Sequence, residues 1–311
     1  MIVFYDPACP KPYSLDALRN EPLGGSEASC VRVAESLDAT VVQHCRTHAE
    51  GRYLPGIIGE PSAIVVMRSD KPLGWLREKY PRAKLVLWLH DFTHPDSAIL
   101  ESTGTVVVCV SDHHREYTKR AVRGASVRVM RIYNPIDDDL MPSGAEVDRN
   151  KLVFFSSPHK GLEYATVLFA RIRALAPEMT LCVANPGYYP DGPTDYDGIV
   201  NLGQLPHRAI VNHVRTALCS FLPNIVFPET FGLVFAESNA VGTPVLTHSF
   251  GAASEVLMPA DFGLTPQVID CTKPATVVNH VLEWRDARPV VAVRDEFRMS
   301  NVKKAWEKVL A

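Results

Sequence analysis

Short apolar runs alternate with helix-length amphipathic stretches along the whole chain. In the first half the β-branched runs predict strands at Ile2–Tyr5, Thr40–Gln43, Ala63–Met67, Lys84–His90, Thr105–Val110 and Val127–Tyr133. Between them, apolar residues at helical spacing predict helices at Ser26–Leu37, Leu73–Tyr80 and Asp112–Val122, the last capped by Ser111 or Asp112. Runs such as Leu85–Leu89 show no polar alternation, which is the pattern of strands covered on both faces in a parallel sheet. The second half repeats the rhythm. Strands are expected at Lys151–Ser157, Thr180–Ala184, Ile199–Gly203, Ala217–Leu222 and Pro244–Thr247. Helices are expected at Gly161–Leu175, Pro206–Arg215, Leu233–Val241, Ala275–Arg285 and Arg294–Leu310.

Strand and helix in alternation predict an α/β fold of two doubly wound, Rossmann-like domains facing across a cleft. The polar, turn-rich stretch from Asn134 to Gly144 marks the junction. The expected boundaries are 1–138, 139–290, and a C-terminal helix over 291–311 returning to the first domain. Residues Asn185–Gly198, crowded with Pro, Gly, Asp and Tyr, read as a mobile surface loop.

Composition narrows the classes. A chain of 311 residues, 46% hydrophobic and 22% charged, is neither disordered nor a disulfide miniprotein. A net charge of −3 offers no overall field for nucleic acid, so none is expected as a partner. The apolar runs are strand-length, well short of the roughly 20 residues of a membrane span. Met1–Tyr5 runs straight into Asp6-Pro7 and does not read as a leader. The 7 Cys contain no C-x-x-C pair and read as reduced thiols, so a cytoplasmic setting is expected. Two basic stretches, Arg68–Lys84 and His113–Arg131, read either as solvated helix faces or as a surface for peripheral contact with the anionic inner membrane face. The solvated reading is favoured. His113 and His114 are assigned to a helix surface, and no metal site is expected.

The segment Pro228-Glu-Thr-Phe-Gly-Leu-Val-Phe-Ala-Glu-Ser-Asn-Ala-Val-Gly-Thr-Pro-Val-Leu246 carries the most chemistry. Gly232 permits a tight turn into a helix whose free N–H groups suit a diphosphate. Glu229 precedes that turn and Glu237 follows it on the helix. Carboxylates accept paired hydrogen bonds from vicinal hydroxyls, so the two suit a sugar and a ribose. Upstream, Lys160 follows a strand and can neutralise phosphate oxygens, with Ser156, Ser157 or His159 as further donors. Gly24 and Gly25 open the first amphipathic helix and allow close backbone approach to a ligand. His90 ends an apolar strand, at the edge where α/β sheets place ligands.

The Glu229–Glu237 segment resembles the E-x7-E signature of the family 4 glycosyltransferases, retaining nucleotide-sugar enzymes of GT-B architecture. The resemblance implies that Glu229 contacts the donor sugar and Glu237 the ribose, with Phe231, Gly232 and Leu233 offering backbone amides. Lys160 takes the phosphate role in an element similar to the family's Lys-Gly pair, and Phe155 stands where the family usually has an Arg. Gly24-Gly25-Ser26-Glu27 resembles the Gly-rich loop where donor phosphate and acceptor meet, and His90 the strand-end His beside the donor sugar. Asn134-Pro-Ile-Asp137 is similar to an Asn-Gly-x-Asp element, with Pro135 in place of Gly. Leu202–Pro206 looks like the loop against the base, which implies Gln204 and Leu205 there.

The implied catalytic residues are therefore His90, Lys160 and Glu229. The implied donor-binding residues are Gly24, Gly25, Ser157, Gln204, Leu205, Phe231, Gly232, Leu233 and Glu237. The resemblance implies a retaining sugar transfer to an acceptor hydroxyl of a glycan, lipid-linked or small molecule, in glycan, polysaccharide or glycolipid synthesis. It implies no metal and no cofactor beyond the donor substrate. Two rivals stand beside it: a GT-B nucleotide-sugar 2-epimerase, and a non-catalytic sugar-nucleotide-binding scaffold suggested by Phe155.

Overall fold

The computed structural model describes residues 1–185, 196–258 and 266–311. Most of the Asn185–Gly198 loop, residues 186–195, lies outside them. The chain divides into two compact units. Unit 1 holds Met1–Leu15, Gly25–Pro135 and Glu296–Ala311, and unit 2 holds Asp16–Gly24 and Ile136–Asp295.

Unit 1 is built on a parallel sheet of β1 (Ile2–Asp6), β2 (Thr40–Gln43), β3 (Tyr53–Leu54), β4 (Ala63–Met67), β5 (Lys84–Trp88), β6 (Val106–Cys109) and β7 (Val129–Arg131), in the order β3-β2-β1-β4-β5-β6-β7. Every residue of β4 is buried, as its unbroken Ala-Ile-Val-Val-Met sequence requires. Unit 2 repeats the plan with β8 (Asp148–Phe154), β9 (Thr180–Ala184), β10 (Ile199–Gly203), β11 (Ala217–Leu222), β12 (Val245–His248) and β13 (Val268–Ile269), in the order β10-β9-β8-β11-β12-β13. Both sheets are Rossmann-like. Strand order reverses between β1 and β4 in one, and between β8 and β11 in the other. That reversal separates the strand-end loops and leaves room for a ligand at the carboxyl edge.

Several short elements carry no periodic signal and go unannounced by the sequence: β3, β13, and the helices Leu15–Asn20, Ser97–Thr103 and Ala253–Val256. Ser97–Thr103 exists because Asp96 accepts from the N–H groups of Ala98 and Ile99, and Gly104 closes it at φ 62°. The last long helix is Met299–Leu310, shorter than the expected Arg294–Leu310, because Asp295–Phe297 forms a separate 3-10 turn. It packs in unit 1 beside helix Gly25–Ser36. Its fully buried Trp306 lies 5.8 Å from the Phe4 ring and 4.8 Å from Trp88, both edge-on.

One assignment needs correction. His113 is exposed as expected for a helix surface, but His114 is fully buried. Ser111 caps the helix Asp112–Ala121 by accepting from His114 N–H at 3.0 Å, which directs the first turn inward. The His114 ring then reaches the Asp91 carbonyl, Nε2 to O 3.0 Å. Burial pulls its pKa from 6.5 to about 4; the Asp91 carbonyl opposes that pull and the His113 charge adds to it. The buried ring is therefore neutral. Its contribution to stability is complete above pH 6.5 and is lost as pH falls toward about 4. Denaturant titrations across that range should show a loss of about 3 kcal/mol from this ring. His114→Gln should flatten that part of the profile.

Candidate functional site

In unit 2 the site is assembled at the strand-order reversal, where β8 and β11 end. After β8 the chain passes Phe155 and Ser157 into a 3-10 turn, Pro158–Lys160, closed by the Lys160 N–H to Ser157 O bond of 2.9 Å. Gly161 continues at φ 99° into helix Leu162–Leu175, with the Asn224 backbone 3.4 Å from where a Cβ would sit. After β11, Asn224 closes its own loop. Its side-chain oxygen accepts from Val226 and Phe227 N–H, and its amide donates to the Phe227 carbonyl. That turn delivers Glu229 opposite Lys160. The Lys160 ammonium donates to both Glu229 carboxylate oxygens, each at 2.9 Å.

Glu229 is held from behind as well. Its backbone bridges Gly251 in the loop after β12, and Ala252 N–H donates to its carbonyl at 2.8 Å. Gly251 has φ 67°, and a Cβ there would lie 2.3 Å from Glu229 O and 2.5 Å from Glu229 N. Only glycine fits that approach. Downstream, Phe231 is buried and Gly232, at φ 85°, opens helix Leu233–Ala240, with a Cβ excluded by the Phe235 ring. Asn239 and Gln267 exchange hydrogen bonds of 2.8 and 3.1 Å and lock this helix to the strands below it.

Glu237 lies on that helix with its side chain only 8% exposed. Its Oε1 is 2.8 Å from His207 Nε2, within ion-pair range though off the line of a hydrogen bond. His207 begins helix His207–Arg215 directly after Gln204, Leu205 and Pro206. The expected base loop and the expected ribose carboxylate are thus adjacent, joined by a residue the sequence did not single out. Gln204 is exposed and Leu205 half-buried. Ser157 sits at the start of the Lys160 turn, with no capping hydrogen bond from its side chain. Phe155 is buried in the core and presents no polar group. Neither glutamate is the exposed helix residue that it would be without a partner.

In unit 1 the carboxyl edge gathers Asp6, Gly25, Arg68 and His90. His90 is buried and packs on Trp88, ring centroids 4.5 Å apart and planes tilted by 49°. Burial first, then the charge of Arg68, hold its pKa well below the ordinary value, so the imidazole is neutral at pH 7. Gly25 starts helix Gly25–Ser36 and accepts from Ser29 Oγ at 2.7 Å. Gly24 falls in unit 2 and Gly25 in unit 1. Asp6 accepts from Ala8 N–H at 3.0 Å and Tyr13 hydroxyl at 2.8 Å, and burial raises its pKa. Among the described residues no group of three His, Cys, Asp or Glu side chains could hold a metal ion, and no helix is long and apolar enough to cross a membrane.

Gly251→Ala should cost about 1–3 kcal/mol for the left-handed backbone, plus the displacement of Glu229. Gly104→Ala is the control, because it has φ 62° but nothing within 4 Å of its Cβ position. In urea titrations Gly251→Ala should be clearly the more destabilised of the two.

The family described as glycosyl transferases group 1 matches residues 141–290. A glycogen synthase of Mycobacterium tuberculosis is 26% identical over 207 residues, covering 60% of this chain and 48% of the relative. The match thus spans about half the length of that relative. Among solved structures, sucrose-phosphate synthase from Thermosynechococcus elongatus superposes with TM-score 0.66 at 15% identity, over 99% of this chain and 96% of that one. WaaG, a glycosyltransferase of lipopolysaccharide biosynthesis, gives 0.62 at 11%, over 99% and 95%. Anabaena HepE, solved with UDP and glucose, gives 0.60 at 17%, over 100% and 99%. Residues 141–290 of this chain match the model of the glycosyl transferases group 1 family, and the chain as a whole has the two-sheet fold of the GT-B glycosyltransferases.

Proposed function

We propose that the protein transfers a sugar from a nucleoside-diphosphate sugar to an acceptor hydroxyl, with retention at the anomeric carbon and without a metal ion. The observation that carries this reading is the Lys160–Glu229 pair at the strand-order reversal of the second sheet, beside the helix that opens at Gly232. These two charges satisfy each other. When donor binds, Lys160 exchanges the carboxylate for diphosphate oxygens, and Glu229 is released to accept from sugar hydroxyls. The helix N–H groups after Gly232 add fixed positive potential. Glu237, oriented by His207, accepts from the ribose hydroxyls, while Gln204 and Leu205 lie along the base. Neutral His90, at the carboxyl edge of the first sheet, can both donate to and accept from a hydroxyl.

In the transfer itself the anomeric C–O bond to phosphate breaks and a bond to the acceptor oxygen forms on the same face. The acceptor proton passes to the departing phosphate. Stabilising that diphosphate is the largest catalytic contribution, and it falls mainly to Lys160 and the helix start. The acceptor is a glycan, a lipid-linked sugar or a small hydroxylated molecule, in glycan, polysaccharide or glycolipid synthesis. The fold's likeness to HepE, solved with UDP and glucose, makes uridine diphosphate sugars the first donors to try. The second reading, a binding scaffold without turnover, is favoured by one observation: buried Phe155 supplies no second cation beside Lys160.

Calorimetric titration with uridine, guanosine and adenosine diphosphates and their sugars, in chelator, tests the reading. One nucleotide should bind, and Glu237→Ala should weaken it by roughly 10-fold or more, the worth of hydrogen bonds to a charged group. Lys160→Ala should lower kcat by roughly 100-fold or more while changing donor affinity less. Binding without turnover on any acceptor supports the scaffold. Conversion of the nucleotide sugar with no acceptor present supports an epimerase.

A further inference from the structure

Arg68 departs from ordinary backbone. It is one of two non-glycine residues with positive φ among those described, at 62°. Ser69 N–H donates to the Met67 carbonyl across it at 2.7 Å, which makes a γ-turn of the rare, strained hand. Its own N–H donates to the Trp88 carbonyl at 2.9 Å, fixing the turn to the end of β5. An arginine gains nothing from this backbone that a glycine would not provide more easily. The gain is in where the side chain goes. Arg68 Nη2 donates to Glu27 Oε1 at 2.8 Å, and Nε lies 3.9 Å from Asp91 Oδ2. Glu27, with a side chain only 3% exposed, sits in the first turn of the helix that opens at Gly25. Asp91 directly follows His90. All of this lies where β4 meets β1 at the strand-order reversal of the first sheet, the position at which such sheets take ligands.

We propose that Arg68 is a positioning residue, its guanidinium tying the helix start at Gly25–Glu27 to the strand end at His90–Asp91 so that both keep the geometry sugar transfer needs. The proposal rests on the transferase reading for its catalytic consequence, and on the ion pairs and the strained turn for the link itself. A solvated arginine of a basic stretch, the role its sequence neighbourhood suggests, would need neither the positive φ nor a buried carboxylate partner. A planar guanidinium can hold two groups at once at fixed angles, which an ammonium does not do.

Arg68→Gln alone removes the cation beside the buried Glu27 carboxylate, so the deciding variant is the pair Arg68→Gln with Glu27→Gln, which removes both charges of the pair. With its melting curve and circular dichroism close to the parent's, the double variant should lose roughly 10- to 100-fold in kcat, the scale of a misplaced reacting group. Its donor KM should change by less than roughly 3-fold, because an interaction serving the transition state acts on kcat. Arg68→Lys should recover part of the rate, since it returns charge without the fork. A folded double variant with parental kcat, or an equal change in kcat and KM, overturns the proposal. Amide shifts provide an arm independent of activity: in the double variant, residues 25–29 and 89–92 should move together. Shifts confined to the residues flanking 27 and 68 overturn the link. If the parent protein transfers sugar from no donor, the transferase reading fails, and the amide shifts still decide whether Arg68 couples the two segments.

Discussion

A parallel sheet sends every strand-to-helix loop to the same edge, and the point where strand order reverses is the one place on that edge where adjacent loops diverge. Both units of this protein are organised by that constraint. In unit 2 the reversal lies between β8 and β11, and the loops leaving those two strands bring Lys160 and Glu229 into contact. In unit 1 it lies between β1 and β4, and the residues there are Asp6 and Arg68. Residues 69 positions apart meet because the sheet leaves their loops nowhere else to go.

Burying a carboxylate is costly unless it is paired, and unit 2 places a basic side chain beside each of its two buried glutamates. Glu229 faces Lys160, and Glu237 faces His207. On the transferase reading, each of these partners is a group that bound donor replaces or uses. On the transferase reading these contacts hold the carboxylates in place for hydroxyl groups, which spares the rearrangement a solvated glutamate would require. The glycines supply the other half of that order. Gly251 lets a neighbouring loop press against the Glu229 backbone, and Gly232 clears the Phe235 ring so that a helix can begin there.

Unit 1 shows how packing far from a site sets its chemistry. Trp306, on the last helix, packs on Trp88, and Trp88 packs on His90. This aromatic wall removes water from the imidazole and keeps it neutral, with the Arg68 charge acting in the same direction. A neutral ring can both donate and accept a hydrogen bond, whereas an imidazolium only donates. The terminal helix thus contributes to the strand end at His90 through Trp88.

The sequence alone determined the sheets' composition and much of the site's chemistry. Unbroken apolar runs such as Ala63–Met67 specify strands covered on both faces, and the strand–helix alternation that surrounds them specifies parallel order. The Glu229–Glu237 spacing with Gly232 between them marked a helix start flanked by two carboxylates, because that arrangement is local and fits within 9 residues. What remained hidden depends on contacts between distant segments. His207 looks like any residue in the first turn of a helix until Glu237 is found beside it. Gly251 reads as a turn glycine until the Glu229 backbone is seen to occupy the space of its missing Cβ. His114 reads as helix surface until the Ser111 cap turns it inward. Arg68 reads as one cation in a basic stretch. Tertiary structure decided each of these, because burial, ion pairing and backbone strain are properties of what packs around a residue, and no local pattern encodes them.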